Sequence, residues 1–100
     1  MLIVEPDTFL SRRLREACGA SVRVTTCADF PSGRERLMLD RPDFLVTNLR
    51  LNEYNGLHLL FLSDTEDRHT RCVIHTNRPD FSLISEAQKL HALFEWTDRL

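Results

Sequence analysis

Three polar side chains stand where short apolar runs of this sequence end: Glu5, Asn48 and Thr76. Such runs are typical of buried strands, and parallel α/β sheets bind ligands beyond the carboxyl ends of their strands. A carboxylate, a carboxamide and a hydroxyl at one sheet edge therefore predict a polar pocket. Taken singly, each is also the kind of polar residue that the end of any buried strand requires.

A second group has the residue types of a metal site, because His69, Cys72 and His75 form an HxxCxxH pattern. Cys72 and His75 lie three apart on a predicted strand, so their side chains face opposite sides and do not converge on one ion. No glycine-rich phosphate loop follows the first apolar run, and no nucleophile elbow is present. The sequence therefore predicts neither a metal centre nor catalysis.

Composition and charge exclude further classes. The 100 residues are 42% hydrophobic and 28% charged, with a formal net charge of -2. A chain of this length can form a modest core without disulfides or metal. Arg12, Arg13 and Arg15 cluster beside Glu16 at helical spacing, which predicts a solvated helix face. The sequence has no basic stripe interleaved with aromatic residues, so it gives no sign of nucleic-acid binding.

Cysteine usage and hydropathy both favour the cytoplasm. Cys18, Cys27 and Cys72 are odd in number, widely spaced and without a CxxC pair, so they do not form a disulfide framework. No apolar stretch is long enough to span a bilayer, and an acidic residue at position 5 is unlike a signal peptide. We expect a cytoplasmic protein without membrane contact.

The elements that must position the polar residues alternate between strand and helix. Pro6 ends the first strand, since proline has no N–H for a ladder, and Asp7 or Thr8 can cap the helix that follows. Pro31 suits the first turn of a second helix, which must end before Pro42. The first helix has the predicted apolar stripe Leu10, Leu14, Ala17 and Cys18, with Gly19 past its end.

This alternation predicts five strands, over 1–4, 21–26, 44–47, 72–76 and 93–96, and further helices over 31–39, 57–64 and 82–90. The polar segment 65–70 is predicted to be a loop. Strands and helices joined by short loops predict an α/β fold with a doubly wound five-stranded parallel sheet of the flavodoxin type, in the order 2-1-3-4-5. No repeat or linker divides the chain.

The stretch from Asn48 to Gly56 resembles the receiver domain of bacterial response regulators, in which a strand ends in a phosphoacceptor aspartate, followed by a loop and a glycine that opens the next helix. The resemblance covers nearly the whole chain and implies a single receiver-like domain over 1–100. Here the acceptor position is held by Asn48. A carboxamide nitrogen has no nucleophilic lone pair and no negative charge, so it cannot become an acyl phosphate.

The acidic side of the family's pocket is altered as well. The acidic pair after the first strand falls on Glu5 and Pro6, so one carboxylate is kept and one is lost. Asp7 could replace it only if the loop slips by one position. The loop carbonyl that would complete the magnesium site belongs to Arg50. Magnesium prefers octahedral oxygen ligands with carboxylates among them, so the resemblance implies weak or absent magnesium binding and no other cofactor.

The switch positions carry over only in part. The family's hydroxyl falls on Thr76 and is kept, whereas its aromatic reporter falls on Glu95. Its lysine falls on Asp98, so a cation has become an anion. In the family, lysine and magnesium neutralise the charge that builds on the transferred phosphoryl group. The pocket therefore lacks its nucleophile, one metal-binding acid and its lysine.

The resemblance implies a pseudo-receiver that is not phosphorylated, is not an enzyme, and acts in two-component-type signal transduction through protein contacts. A small-molecule or metal sensor that uses the vacated pocket is the alternative. A variant of the first interpretation has Asn48 donating a hydrogen bond to Thr76 or Glu5, which would fix one arrangement of the switch without a ligand.

The family's fifth helix would begin near 98–100, so we expect this C-terminal helix to be absent from the chain. Both faces of a doubly wound sheet must be covered. We therefore expect a longer parent protein, a protein partner or a second copy to cover the remaining face. The helix 82–90 and the strand at Phe94 correspond to the surface through which receivers resembling this chain form dimers.

Overall fold

Five parallel strands form one sheet in the order β2-β1-β3-β6-β7 in the computed structural model, which describes residues 1–65 and 70–100. This order confirms the predicted doubly wound, flavodoxin-like sheet. The sheet strands are β1 (Leu2–Val4), β2 (Thr25–Cys27), β3 (Phe44–Asn48), β6 (Arg71–Thr76) and β7 (Leu93–Trp96). The helices are α1 (Thr8–Cys18), α2 (Phe30–Asp40), α3 (Leu57–Thr65) and α4 (Phe81–Lys89), and a 3-10 helix covers Thr97–Arg99.

A short ribbon after β3 was not predicted. Two-residue strands, β4 (Arg50–Leu51) and β5 (Tyr54–Asn55), pair antiparallel where the sequence suggested an irregular loop. The turn between them places Asn52 at a φ of 60°, which asparagine tolerates better than most residues. Leu51 is buried. The ribbon thereby anchors the segment between Asn48 and α3.

The second strand is shorter than the predicted 21–26. It covers only Thr25–Cys27, because its partner β1 is three residues long and each residue of one pairs with one of the other, from Leu2 with Thr25 to Val4 with Cys27. The inner strand β1 therefore sets the length of the edge strand β2. The predicted loop 65–70 lies mostly outside the described residues.

Capping residues fix where α1 begins and ends. The Asp7 carboxylate accepts hydrogen bonds from the Phe9 and Leu10 N–H groups, and Gly19 ends the helix with a φ of 74°. The predicted stripe is wrong at Ala17, which is exposed, while Ser11 is the buried residue of the helix. The helix is thus rotated so that a hydroxyl, and not a methyl group, faces the sheet.

The apolar core lies between the sheet and the helices α2 to α4, on the face that carries Leu2, Val4 and Leu45. The opposite face carries Ile3 and Val46, and in this register it also carries Phe44 and Leu93, which are 49% and 70% exposed. This second face is therefore the less covered of the two. Within the described residues, no helix is long and apolar enough to cross a membrane.

Gly33 marks the closest approach of α2 to the sheet. A β-carbon added there would lie 2.7 Å from Val4 Cγ2. In Gly33→Ala the gain in helix propensity is at most ~1 kcal/mol, whereas overpacking costs ~1–3 kcal/mol. We expect a net loss of unfolding free energy of up to about 2 kcal/mol in urea titrations. In a Val4→Ala background the same change should be neutral or stabilising; an equal loss in both backgrounds would contradict this packing.

Candidate functional site

The candidate site lies at the carboxyl ends of three neighbouring strands. Glu5 directly follows β1 and is held in line by its N–H, which donates to the Cys27 carbonyl. Asn48 ends β3, and His75 on β6 is its register partner. Because alternate residues of a strand face the same side, these three side chains project from the same face of the sheet. Residues that are far apart in the sequence therefore lie close together at this edge of the sheet.

Glu5 is the buried anion of the site, with 2% of its surface exposed. Asn48 Nδ2 donates to it, at 3.1 Å from Oε1 and 3.3 Å from Oε2. The Asp7 N–H also donates to Oε2, at 2.9 Å. These two donors satisfy a carboxylate that has almost no access to water.

The orientation of the Asn48 amide follows from its neighbours. Its Oδ1 accepts a hydrogen bond from the Arg50 N–H at 2.9 Å, which only an oxygen can do. The NH₂ group therefore faces Glu5, an acceptor. Within the described residues, Glu5 and Arg50 are the partners of this side chain, and Thr76 is not among them. The amide acts as a bridge between a carboxylate and a loop N–H.

His75 completes the cluster, although the sequence analysis considered it only as a metal ligand. It is fully buried. Its Nδ1 lies 2.8 Å from Thr97 Oγ1, and its Nε2 lies 3.1 Å from Glu5 Oε1. Nε2 has no hydrogen-bond partner in the described residues, so its contact with Glu5 is a close polar approach that is not a hydrogen bond. The imidazole therefore connects Glu5 to the turn that follows β7.

The other predicted pocket residues are engaged elsewhere. Thr76 is buried and its hydroxyl accepts from the Arg78 N–H at 2.9 Å. Glu95 accepts from the adjacent Trp96 N–H. Asp98 is exposed and accepts from Asn77 Nδ2 at 2.9 Å. As the sequence shows, position 98 carries an acidic and not a basic side chain. The Asp98 carboxylate connects the β6–α4 loop to the turn after β7.

The remaining acidic-side residues also have structural roles. Pro6 is half-buried in the turn after β1. Asp7 is exposed, and its carboxylate caps the N-terminus of α1. The loop therefore does not slip in the way that would bring Asp7 towards Asn48. The Arg50 guanidinium donates to the Arg78 carbonyl at 3.0 Å. Glu5 is thus the one carboxylate among these residues that is buried next to Asn48.

The metal pattern does not assemble in the part of the chain that the structure describes. His69 lies outside the described residues. Cys72 and His75 are on β6 and differ by an odd number of positions, so they face opposite sides as predicted. Burial raises the pKa of the Cys72 thiol to about 11, which disfavours the thiolate that metals bind. Among the described residues, no three His, Cys, Asp or Glu side chains are placed to hold an ion.

The strand pattern could have revealed His75. Successive residues of a strand face opposite sides of the sheet, so Thr76 and His75 lie on different faces. In the register of β3 with β6, His75 is the residue opposite Asn48 and lies on the same face. The contact with Thr97 had no comparable signal, because it depends on how the turn after β7 folds back over the sheet edge.

No protein-family model and no curated protein matches this sequence. Solved structures do match the fold. A CheY-like response regulator receiver domain protein from Methanospirillum hungatei JF-1 has a TM-score of 0.84 at 16% identity, covering 95% of this chain and 78% of that one. The response regulator domain of Thermotoga maritima CheB has a TM-score of 0.76 at 18% identity, covering 95% and 73%.

The signal receiver domain of the DNA binding response regulator merR from Colwellia psychrerythraea 34H also matches, with a TM-score of 0.80 at 15% identity over 95% of this chain and 82% of that one. The chain therefore has the fold of response regulator receiver domains. The resemblance drawn from the sequence is confirmed at the level of fold. The chemistry of its pocket has to be argued from its own residues.

Replacing Asn48 by Asp should destabilise the protein. The change removes the donor to Glu5 and sets a second carboxylate, at a half-buried position, beside the buried one, so we expect a loss of about 2 kcal/mol in unfolding free energy at neutral pH. Urea titrations measure it. The matched control is Asn55→Asp, because Asn55 Oδ1 accepts from the Leu57 N–H at the start of α3 and a carboxylate serves that role equally well. Equal effects of the two changes would contradict the assigned geometry.

Glu5 and His75 should be energetically coupled. We expect a double-mutant cycle of Glu5→Gln and His75→Leu to give a coupling free energy of at least about 1 kcal/mol, since each single change leaves the other polar group buried with fewer partners. Chemical denaturation of the four proteins supplies the numbers. Additive effects would show that the 3.1 Å approach between Nε2 and Oε1 carries no energy.

Proposed function

We propose that this chain is a pseudo-receiver, a regulatory module that takes part in two-component-type signal transduction without accepting a phosphoryl group. The observation that carries the proposal is the hydrogen bond from Asn48 Nδ2 to Glu5. It places an amide donor where receivers have their nucleophile, aimed at a carboxylate. The receiver fold supports the signalling role, and it does so by likeness of fold.

The electrostatics of the site support the absence of phosphoryl transfer. Such transfer requires an oxygen nucleophile in line with phosphorus and cations that neutralise the developing charge. Here the buried carboxylate is already bonded to the Asn48 amide and the Asp7 N–H. Asp98 and Glu95, at the positions of the family's lysine and aromatic switch residue, both add negative charge to this edge. We infer that magnesium binding is weak or absent and that the chain is not an enzyme.

A fixed arrangement is the second part of the proposal. Contacts from Glu5 to Asn48, from Glu5 to His75 and from His75 to Thr97 link the ends of β1, β3 and β6 to the turn after β7. Thr76 is turned to Arg78. In a phosphorylated receiver the hydroxyl would move towards the phosphoryl group. In this chain the cluster holds one state without a phosphoryl group, and we propose that regulation enters through binding of other proteins.

Partners are proposed from the uneven covering of the sheet. The face that carries Phe44 and Leu93 exposes much of both side chains, and contiguous apolar surface of this kind is usually covered in a working assembly. We propose that a protein partner or a second copy covers it. We also propose that 1–100 acts as one domain, in the cytoplasm, where its three free cysteines remain reduced.

Mass spectrometry after incubation with acetyl phosphate and magnesium tests the central claim. We expect the mass of the chain to stay unchanged, because no carboxylate is available as nucleophile at position 48. A receiver with an intact acceptor aspartate, treated in parallel, controls for the reagent. A stable gain of one phosphoryl group that maps to the 44–56 segment would overturn the proposal.

The single change Asn48→Asp should also fail to gain a phosphoryl group under the same conditions. Pro6 still replaces the second acid, and Asp98 still replaces the lysine. Circular dichroism establishes whether the variant is folded, so that a negative result is informative. Rapid phosphorylation of this variant would show that one residue separates the chain from an active receiver, contrary to the pocket proposed here.

A further inference from the structure

A cavity of about 260 Å³ lies between α1 and β2 and adjoins the candidate site, with which it shares Glu5. Its wall is rich in hydrogen-bond donors, and neither Asn48 nor Thr76 contributes to it. The donors are the hydroxyls of Thr8, Ser11 and Thr26 and the guanidinium groups of Arg12 and Arg15. The four α1 residues lie at spacings of three and four, so they share one face of the helix.

Most of these donors have no protein partner within the described residues. Ser11 is 6% exposed, yet in the described part of the chain its hydroxyl has no hydrogen-bond partner. The hydroxyls of Thr8 and Thr26 and the Arg12 guanidinium also have none there. Arg15 Nη2 donates to the Val24 carbonyl at 3.1 Å, which holds its guanidinium at the cavity and leaves its other N–H groups available. Ser11 lines the cavity, so its hydroxyl is available to a molecule that enters it.

The charges around the cavity favour an anion. Glu5 is the carboxylate in its wall, but that charge is already bonded to Asn48 and to the Asp7 N–H and lies beside His75. Burial raises the pKa of the Cys27 thiol, so this wall residue is neutral at physiological pH. Two arginines therefore face one carboxylate, so the cavity wall carries a formal charge of +1 (two positive charges less one negative).

The start of α1 does not provide the site. The Asp7 carboxylate already accepts from the N–H groups of Phe9 and Leu10. Any anion in the cavity would therefore be bound by side chains. This separates the site from the general affinity of helix N-termini for anions.

We propose that this cavity binds a small phosphorylated ligand through its phosphate group. Two guanidinium groups and three hydroxyls match a tetrahedral dianion with several acceptor oxygens, and arginine binds phosphate with a geometry that a point charge lacks. The volume suits a small molecule. The site takes its ligand beside Glu5, so an occupied cavity would bear directly on the residue that organises the sheet edge. The proposal does not depend on the pseudo-receiver function.

Binding is tested by two-dimensional ¹H–¹⁵N NMR of the whole chain with inorganic phosphate and, separately, glycerol 3-phosphate, at constant ionic strength set with chloride. We expect saturable shifts confined to the amides of α1 and β2, led by Thr8, Ser11 and Thr26. Tighter binding of glycerol 3-phosphate would identify an ester as the ligand, and tighter binding of phosphate would identify the free anion. Succinate is the comparison for charge alone and should bind more weakly than either.

Matched arginine variants separate this site from general charge attraction. Arg12→Gln should weaken phosphate binding about ten- to hundredfold, the usual effect of losing a charged hydrogen-bond donor. Arg13→Gln has the same change of charge one residue away, but Arg13 lies over the Phe9 ring and outside the cavity wall, so its affinity should stay that of the parent. Ser11→Ala should also weaken binding while it leaves the fold intact.

Equal weakening by Arg12→Gln and Arg13→Gln, linear shifts that do not saturate, or shifts centred on Asn48 and Thr76 would each overturn the proposal. Unchanged affinity in Ser11→Ala would count against the role of the buried hydroxyl. These results leave the phosphodonor experiment unaffected, because that experiment reads a covalent change at position 48 and this one reads reversible binding at α1.

Discussion

A carboxylate at the end of β1, an inner strand of the sheet, is the constraint on which this edge of the structure depends. Glu5 is almost completely buried, and an ion without partners in such a place would cost several kcal/mol. Its neighbours meet that requirement with an amide and a backbone N–H, and an imidazole nitrogen lies 3.1 Å away. Each neighbour comes from a different element: β3, the turn before α1, and β6. Solvating one charge therefore fixes how three parts of the chain meet.

The same geometry accounts for the bonding of the polar groups at this sheet edge. In α/β sheets the carboxyl ends of the strands are where ligands bind, because polar groups converge there and loops leave room. In this chain the converging groups bond to one another. Asn48 bridges Glu5 and the Arg50 N–H, and His75 reaches on to Thr97. Glu5 and Asn48, which the resemblance places at the family's metal- and phosphate-binding positions, connect neighbouring elements of the fold through hydrogen bonds.

Other polar residues follow the same principle. Asp7 caps α1, and Asp98 exchanges two hydrogen bonds with Asn77 between neighbouring loops. Such local bonds satisfy backbone and side-chain groups that would otherwise lack partners. The hydroxyls along α1 and at Thr26 are the contrast, because their surroundings leave them available. The donors to Glu5 have hydrogen-bond partners within the protein, whereas most of those that line the adjoining cavity are available to a ligand.

The sequence determined the fold class almost completely. Apolar runs ended by Pro6 and Asn48, helix caps such as Asp7 and Gly19, and the alternation of strand and helix are local signals, and each acts within a few residues. They were enough to predict the alternation of strands and helices and most element boundaries, and the strand order followed from the flavodoxin-like type that the chain resembles. They also identified Glu5 and Asn48 as polar ends of neighbouring strands.

Tertiary structure decided the rest, since the remaining features depend on residues far apart in the chain. The length of β2 follows from its pairing with β1, and the burial of Ser11 in place of Ala17 follows from how α1 rests on the sheet. The partners of Glu5 could not be read from spacing, because 70 residues separate it from His75 in the sequence and 3.1 Å separates their side chains. A buried charge selects its partners by distance in space, and only the folded chain sets that distance.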